Sequence, residues 1–261
     1  MRQLQAFIPF LHELADAAAD AILPVFRTDP TVENKATDGR YDPVTRADRD
    51  AEAAMRRLIE SRHPDHGIVG EEFGAERADA EHVWVLDPID GTGAFICGLP
   101  LWGVLIGLRI GGAPALGMLA QPYLGERFLG WADEAWRERG GMRSRLHVRP
   151  CAALGEAILS TTSPRMFGDE EARGYRAVER DTRLVRYGYD CYAYAMLASG
   201  FIDCVVEASL KAYDIDPLIP IVRGAGGHVA NWEGGSAAGG GRVVAAGDER
   251  VLRAALERLR P

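Results

Sequence analysis

Apolar residues at Leu4, Phe7, Ile8, Leu11, Leu14, Ala15, Ala18 and Ile22 recur at helical spacing, so the chain opens on a long amphipathic helix from Gln3 to about Arg27. A polar stretch from about Thr28 to Pro43 reads as a loop. Helical spacing returns at Ala47, Ala51, Met55, Leu58 and Ile59, and this second helix ends before His63-Pro64. Thr45 is placed to cap it, and Asp48 in its first turn suits the helix dipole. Short apolar runs follow: Ile68 to Gly70, leading into Glu71-Glu72, and Val83 to Leu86. Trp102 to Arg109, Ala115 to Ala120 and Glu126 to Gly130 then form a meander whose glycine turns at 112 and 125 imply antiparallel pairing.

After about Gly140 the pattern alternates. Strands are expected at Ala157 to Ser160, Leu184 to Arg186, Asp203 to Glu207, His228 to Asn231 and Val243 to Ala246. Helices are expected at Glu170 to Arg180, Tyr189 to Ser199, Pro217 to Arg223 and Asp248 to Leu259. The fold class is therefore α/β (α+β), with layered helices and sheets. The glycine-rich Gly234 to Gly241 segment has no following Lys and reads as a flexible loop rather than a phosphate cradle.

One run carries chemistry. In Trp84-Val85-Leu86-Asp87-Pro88-Ile89-Asp90-Gly91-Thr92 a buried strand delivers Asp87 and Asp90 into a turn. Two hard carboxylate ligands with the Ile89 carbonyl between them suit Mg2+ better than zinc. Gly91 and Thr92 add backbone N–H groups and a hydroxyl, the donors a phosphate needs at a helix start. Glu71-Glu72, Asp48 and Tyr213-Asp214 also stand at element ends, and each alone would serve as a surface charge or a cap.

Composition narrows the class. The chain has 261 residues, 47% hydrophobic and 26% charged, and no apolar stretch approaches the roughly 20 residues of a membrane span. The N-terminus lacks a signal-peptide pattern, which leads to an expected cytoplasmic location. A net charge of −8 argues against a nucleic-acid partner, because that affinity rests on cationic side chains. Cys97, Cys151, Cys191 and Cys204 have no Cys-x-x-Cys spacing and are expected as buried free thiols. His63 and His66 are expected in an exposed loop, and Tyr187, Tyr189, Tyr192 and Tyr194 either line a pocket or pack in the core.

Four ordered motifs together resemble the inositol monophosphatase superfamily of metal-dependent, lithium-sensitive phosphomonoesterases. They are Asp42-Pro43-Val44-Thr45-Arg46-Ala47-Asp48, Gly70-Glu71-Glu72, the run from Trp84 to Thr92, and Tyr213-Asp214 with Gly224-Ala225-Gly226-Gly227. The resemblance implies an α-β-α-β-α layered sandwich forming a single catalytic domain over 1–261, with an N-terminal α+β half at about 1–140 and a C-terminal α/β half at about 141–261. It implies that Glu71, Asp87 and the Ile89 carbonyl hold one Mg2+ and that Asp87, Asp90 and Asp214 hold a second, within a site of two or three ions. Gly91 and Thr92 would hold the phosphate. Either the Asp48 and Thr92 pair or Glu71 would activate the attacking water. A homodimer is likewise implied.

Within the superfamily the chain resembles the histidinol-phosphatase branch. The resemblance rests on Val32-Glu33-Asn34-Lys35, on Phe95-Ile96 with Gly98-Leu99-Pro100-Leu101-Trp102-Gly103, on Tyr187 to Ala195, and on Lys211-Ala212-Tyr213-Asp214-Ile215. The implied substrate is L-histidinol phosphate, whose amine and imidazole suit an acidic pocket. Asp190 and Glu207 stand at the positions that would contact the non-phosphate part; Asp190 has an alternative reading as an N-cap, and Glu207 as a surface residue. Three positions depart from the branch: Gly93 replaces a basic residue, Cys97 a common Ser, and Asp216-Pro217 small residues. Asp216 would be an N-cap or would alter the second metal site. The alternative substrates are inositol 1-phosphate and a 3′-phosphonucleotide. A non-enzymatic scaffold would have eroded ligands, which this sequence does not show.

Overall fold

Pro9 divides the expected opening helix, because its ring and missing N–H cannot continue a helix from the preceding turn. The computed structural model, which describes residues 2–28, 32–34 and 43–260, has α1 over Arg2–Gln5 and α2 over Ile8–Ile22. Pro24 follows the end of α2. Inside the stretch expected as a loop, β1 (Val32–Asn34) pairs antiparallel with β2 (Pro43–Thr45). Lys35 and Asp42 lie outside the described residues. Helix α3 (Arg46–Arg62) begins at an N-cap Thr45 that forms a capping box with Asp48, as the sequence indicates.

The first sheet contains β3 (Gly67–Gly70), β4 (Gly74–Glu76), β5 (His82–Asp90), then, after α4 (Thr92–Ile96), β6 (Gly103–Ile110), β7 (Ala113–Gln121), β8 (Glu126–Trp131), β9 (Glu134–Arg139) and β10 (Met142–Arg145). Its order is β10-β9-β8-β7-β6-β5-β3-β4. The antiparallel meander is present, extended by β9 and the edge strand β10, both too rich in charge for their alternation to show. The second sheet follows the expected alternation, with β11 (Ile158–Thr161), α5 (Asp169–Arg180), β12 (Leu184–Tyr187), α6 (Asp190–Ala198), β13 (Cys204–Leu210), α7 (Ala212–Ile215), α8 (Leu218–Gly224), β14 (His228–Asn231), β15 (Gly241–Ala246) and α9 (Glu249–Leu259). Its order is β12-β11-β13-β15-β14.

Side-chain alternation along the strands separates three buried layers. Val104, Ile106 and Leu108 of β6 face α2 and α3, where they meet Leu11, Leu14, Met55 and Ile59. Leu105 and Phe128 face the other way, toward Ala195 and Leu197 of α6, Ile221 of α8, and Val205 and Val243 of the second sheet. Val206 and Val244 point outward to Tyr175 of α5 and Val251 of α9. The result is the α-β-α-β-α sandwich expected from the motifs. Gly130 lets α8 lie directly on the first sheet, since a Cβ there would strike the backbone of Pro220 and Ile221.

Three expectations are corrected. Cys97 is exposed, while the other three cysteines are buried. His63 and His66 are half-buried rather than loop-exposed: their rings stack at 4.6 Å, and His66 stacks on His82 at 4.8 Å, beside Phe7, Phe10 and Trp84. Aromatic neighbours 15 to 60 positions away in sequence draw them in, which no local pattern announces. Asp216 is neither an N-cap nor part of the acidic cluster. It is 1% exposed, pairs with Arg109 of β6, and accepts the Gly239 N–H at 2.8 Å. The glycine-rich segment is thereby fastened to α7.

Candidate active site

Pro88 shapes the end of β5. The strand runs on through Asp90 rather than turning after Leu86, but Pro88 offers no N–H to the ladder, and the register to β6 shifts between Asp87 and Asp90. The Ile89 N–H turns instead to Asp87 Oδ1 at 3.1 Å. Gly91, at φ 85°, makes the left-handed turn into α4, and a Cβ on it would lie 3.0 Å from the Leu101 carbonyl and 3.2 Å from Asp190 Cβ. Thr92 Oγ1 donates to the Ile89 carbonyl at 3.0 Å.

Three other segments bring carboxylates to this place. Strand β3 runs parallel to β5 with Gly70 beside Leu86, and the Glu71 N–H donates to the Leu86 carbonyl at 3.2 Å, which sets Glu71 next to Asp87. Asp214 stands in the first turn of α7, where Oδ2 accepts the Lys211 N–H at 2.6 Å. Asp90 Oδ2 accepts the Cys191 N–H at the start of α6 at 2.7 Å. Oxygen atoms of Asp87, Asp90 and Asp214 lie within 4.8 Å of one another.

The electrostatics follow from this crowding. Burial first, then the charges of Glu71, Asp90 and Asp214, push the Asp87 carboxyl well above the carboxylate range. Asp90 is raised by burial and then by Asp190 and Asp214. Asp214 is pushed up to about 7, chiefly by burial. Anionic oxygens held together in a buried place favour a compensating cation, and an all-oxygen donor set is what a hard divalent ion takes.

Of the residues expected at the site, the structure thus brings Glu71, Asp87, Ile89, Asp90, Gly91, Thr92 and Asp214 together. Asp48 is 1% exposed in the first turn of α3, and its Oδ2 accepts from the Thr45 N–H at 2.8 Å and the Thr45 hydroxyl at 2.6 Å. Asp190 does not cap α6: that position belongs to Tyr189, and Asp90 takes the helix's N–H instead. Asp190 sits beside Gly91 with φ 44°, and burial pushes its carboxyl up to about 6. Glu207 is not at the surface. It is 3% exposed, accepts from the Thr162 N–H at 3.0 Å, the Thr162 hydroxyl at 2.6 Å and the Tyr194 hydroxyl at 3.2 Å, and burial pushes it up to about 7.

Tyr194, expected either in a pocket or in the core, is buried and bonds Glu207, whereas Thr162 and Glu52 are site neighbours with no place in the expected motifs. Thr162 follows a strand with no motif of its own. Glu52 had a signal: Asp48, Glu52 and Arg56 repeat at a spacing of four along one helix, a polar stripe beside the apolar one.

The model of the Inositol monophosphatase family matches residues 3–260. The Arabidopsis thaliana protein named bifunctional phosphatase IMPL2, chloroplastic, is 41% identical over an alignment covering 98% of this chain and 76% of the relative. A histidinol-phosphatase of Chlorobaculum parvum is 34% identical, covering 85% of this chain and 84% of the relative. The solved structure of an inositol monophosphatase from Zymomonas mobilis superposes with a TM-score of 0.87 at 42% identity, over 98% of each chain. On the span of that family model and the identity of these relatives, the chain belongs to the inositol monophosphatase family of metal-dependent phosphatases.

Proposed function

We propose that this phosphatase hydrolyses L-histidinol phosphate to L-histidinol and phosphate, with Mg2+ held by Glu71, Asp87, the Ile89 carbonyl, Asp90 and Asp214 in a site of two or three ions. The observation that carries the substrate reading is the continuity of acid. Asp190 adjoins Asp90 and Gly91, and Glu207 lies behind Asp190 through Thr162, so negative charge extends from the cluster along one wall. A cationic amine or imidazolium is stabilised there, whereas a neutral polyol gives those carboxylates nothing to neutralise. The half-buried Asp190 is placed for direct contact; Glu207, enclosed by Thr162 and Tyr194, acts through its charge. The histidinol-phosphatase among the relatives fits this reading.

Divalent cations supply neutralisation of the phosphate oxygens and acidification of water when bound. The chain's own groups do the rest. The N–H groups of Gly91 and Thr92 hold the phosphate at the left-handed turn, and Pro88 and Ile89 keep Asp87 aimed into the cluster. Thr92, donating to Ile89, presents its oxygen lone pairs as acceptors that orient the attacking water. Two arrangements serve to take its proton, Glu71 or Asp48 with Thr92. Glu71 has the support of sitting among the cluster, while Asp48 Oδ2 is engaged by Thr45. A cytoplasmic homodimer without nucleic-acid or membrane partners completes the proposal; no helix among the described residues is long and apolar enough to cross a membrane.

The test is phosphate release with Mg2+ from L-histidinol phosphate, inositol 1-phosphate and 3′-phosphoadenosine 5′-phosphate at equal concentrations. A strong preference for the first is expected. Equal rates, or preference for inositol 1-phosphate, would replace the substrate assignment and leave the phosphatase chemistry in place. The second reading, inositol 1-phosphate, draws on Gly93, where space is open around the position and no basic side chain fills it.

A further inference from the structure

A carboxylate with no exposure to solvent needs partners for both oxygens, or burying it is costly. Glu52 is such a group, at 0% exposure on α3, and its partners identify what it does. Oε2 accepts the Glu72 N–H at 2.7 Å, and Oε1 accepts the Phe73 N–H at 3.2 Å. Both donors belong to the turn immediately after Glu71. Arg56, one helical turn further on and 6% exposed, donates Nε to Glu52 Oε1 at 2.8 Å. The other end of its guanidinium reaches Glu76 at 3.0 Å and the Gly74 carbonyl, so it grips β4 on the far side of the same turn. On the near side, a Cβ at Gly70 would overlap the Glu52 carboxylate, so glycine and glutamate are mutually required there.

We propose that Glu52, held by Arg56, is a positioning residue that fixes the turn carrying Glu71 and thereby the place of the Glu71 carboxylate in the cation site. The proposal rests on the reading of Glu71 as a metal ligand. Glu71 is fastened through its own N–H to Leu86, but that bond sets only the strand side of the residue. The bonds to residues 72 and 73 set the other side, and they come from Glu52. The sequence Gly70-Glu71-Glu72 is thus completed by a residue 20 positions from Glu72. A glutamine at position 52 has one acceptor oxygen and an NH2 group, so its amide nitrogen faces a backbone N–H wherever the oxygen satisfies the other.

The experiment measures Mn2+ binding to the full chain by electron paramagnetic resonance of the free ion, without substrate, for wild type, Glu52→Gln, Glu71→Gln and the double variant. Glu52→Gln is expected to weaken Mn2+ binding by about 10- to 100-fold, the usual effect of losing a group that orients a ligand. In the Glu71→Gln background it should cost nothing further, because it acts through Glu71. Unchanged affinity in Glu52→Gln, or an equal loss with and without Glu71, would overturn the proposal and leave Glu52 a purely structural group. Should Glu71→Gln itself bind Mn2+ like the wild type, the reading of Glu71 as a ligand falls, and this proposal falls with it. If Glu52→Gln does not fold, Arg56→Lys, which keeps the charge but loses the grip on Gly74 and Glu76, is carried through the same cycle with the same expected coupling.

Discussion

Asp90 Oδ2 accepts the backbone N–H of Cys191 at 2.7 Å, so a carboxylate at the end of the first sheet terminates a helix that packs between the two. Asp87, three residues earlier, has no such outside commitment. Its Oδ1 accepts the Ile89 N–H within its own strand end, and the rest of its environment is the acidic cluster.

Asp87→Asn therefore removes a charge from the cluster while keeping the acceptor for Ile89. Turnover should fall by at least about 100-fold, the upper range for disturbing a ligand's surroundings, in a protein with an unchanged circular dichroism spectrum. Phosphate release at saturating Mg2+ is the measurement, and substantial activity would sink the assignment of Asp87 to the cation site.

Asp190→Asn and Glu207→Gln test the acidic wall. A charge-assisted hydrogen bond contributes about 1.5–3 kcal/mol, so Asp190→Asn should lower kcat/KM for L-histidinol phosphate by about 10-fold or more, and Glu207→Gln, which acts only through its charge, by less. Hydrolysis of an aryl phosphate that carries no cationic group should drop much less. Equal losses on both substrates would take these two residues out of the specificity role.

Asp216→Ala leaves Arg109 without its carboxylate beneath α7. Removing one partner of an enclosed ion pair costs about 3 kcal/mol, which a urea unfolding midpoint registers. The Mg2+ concentration for half-maximal activity should stay where it is, because Asp216 faces Arg109 and Gly239 rather than the cluster. A shifted Mg2+ dependence would restore the idea that this carboxylate tunes the metal site.

Burial, then the neighbouring His63 and His82, lower the His66 pKa from 6.5 to about 4. Below 6.5 the unfolded chain binds a proton at this residue that the folded protein does not, so its contribution to stability is complete above pH 6.5 and is lost as pH falls toward 4. The difference in Tm between wild type and His66→Gln should accordingly change across that interval and be flat above it. A constant difference from pH 7 to about 4 would show that the stack does not resist protonation.

The second half of the fold was legible nearly element by element, because most strands and helices there are bounded by polar turns and bury an apolar face; the edge strand β12 is the exception, nearly all exposed. Strands β4, β9 and β10 were not legible: β4 and β10 are wholly exposed, and β9 is built largely of Glu and Arg. At the site, acidic residues in fixed short motifs declared themselves. Thr162 and Glu52 did not, since their work is to bond a backbone or side chain far away in sequence. The histidine stack failed for the same reason: the rings that shelter His66 include Phe7, just ahead of α2, and His82 and Trp84 of β5, and spacing along the chain carries no record of them.

Asp48 and Asp214 share an arrangement, each lying in the first turn of its helix with Oδ2 accepting the N–H three residues before it. Add Asp87 with the Ile89 N–H and Asp90 with the Cys191 N–H, and each of the cluster's three Asp carboxylates is tethered to main chain. Such carboxylates cannot relax their mutual repulsion by swinging to another rotamer without breaking a tether. The spacing of the cluster is consequently a property of the skeleton, and adjusting it to an ion of another radius would require whole helices and strands to shift.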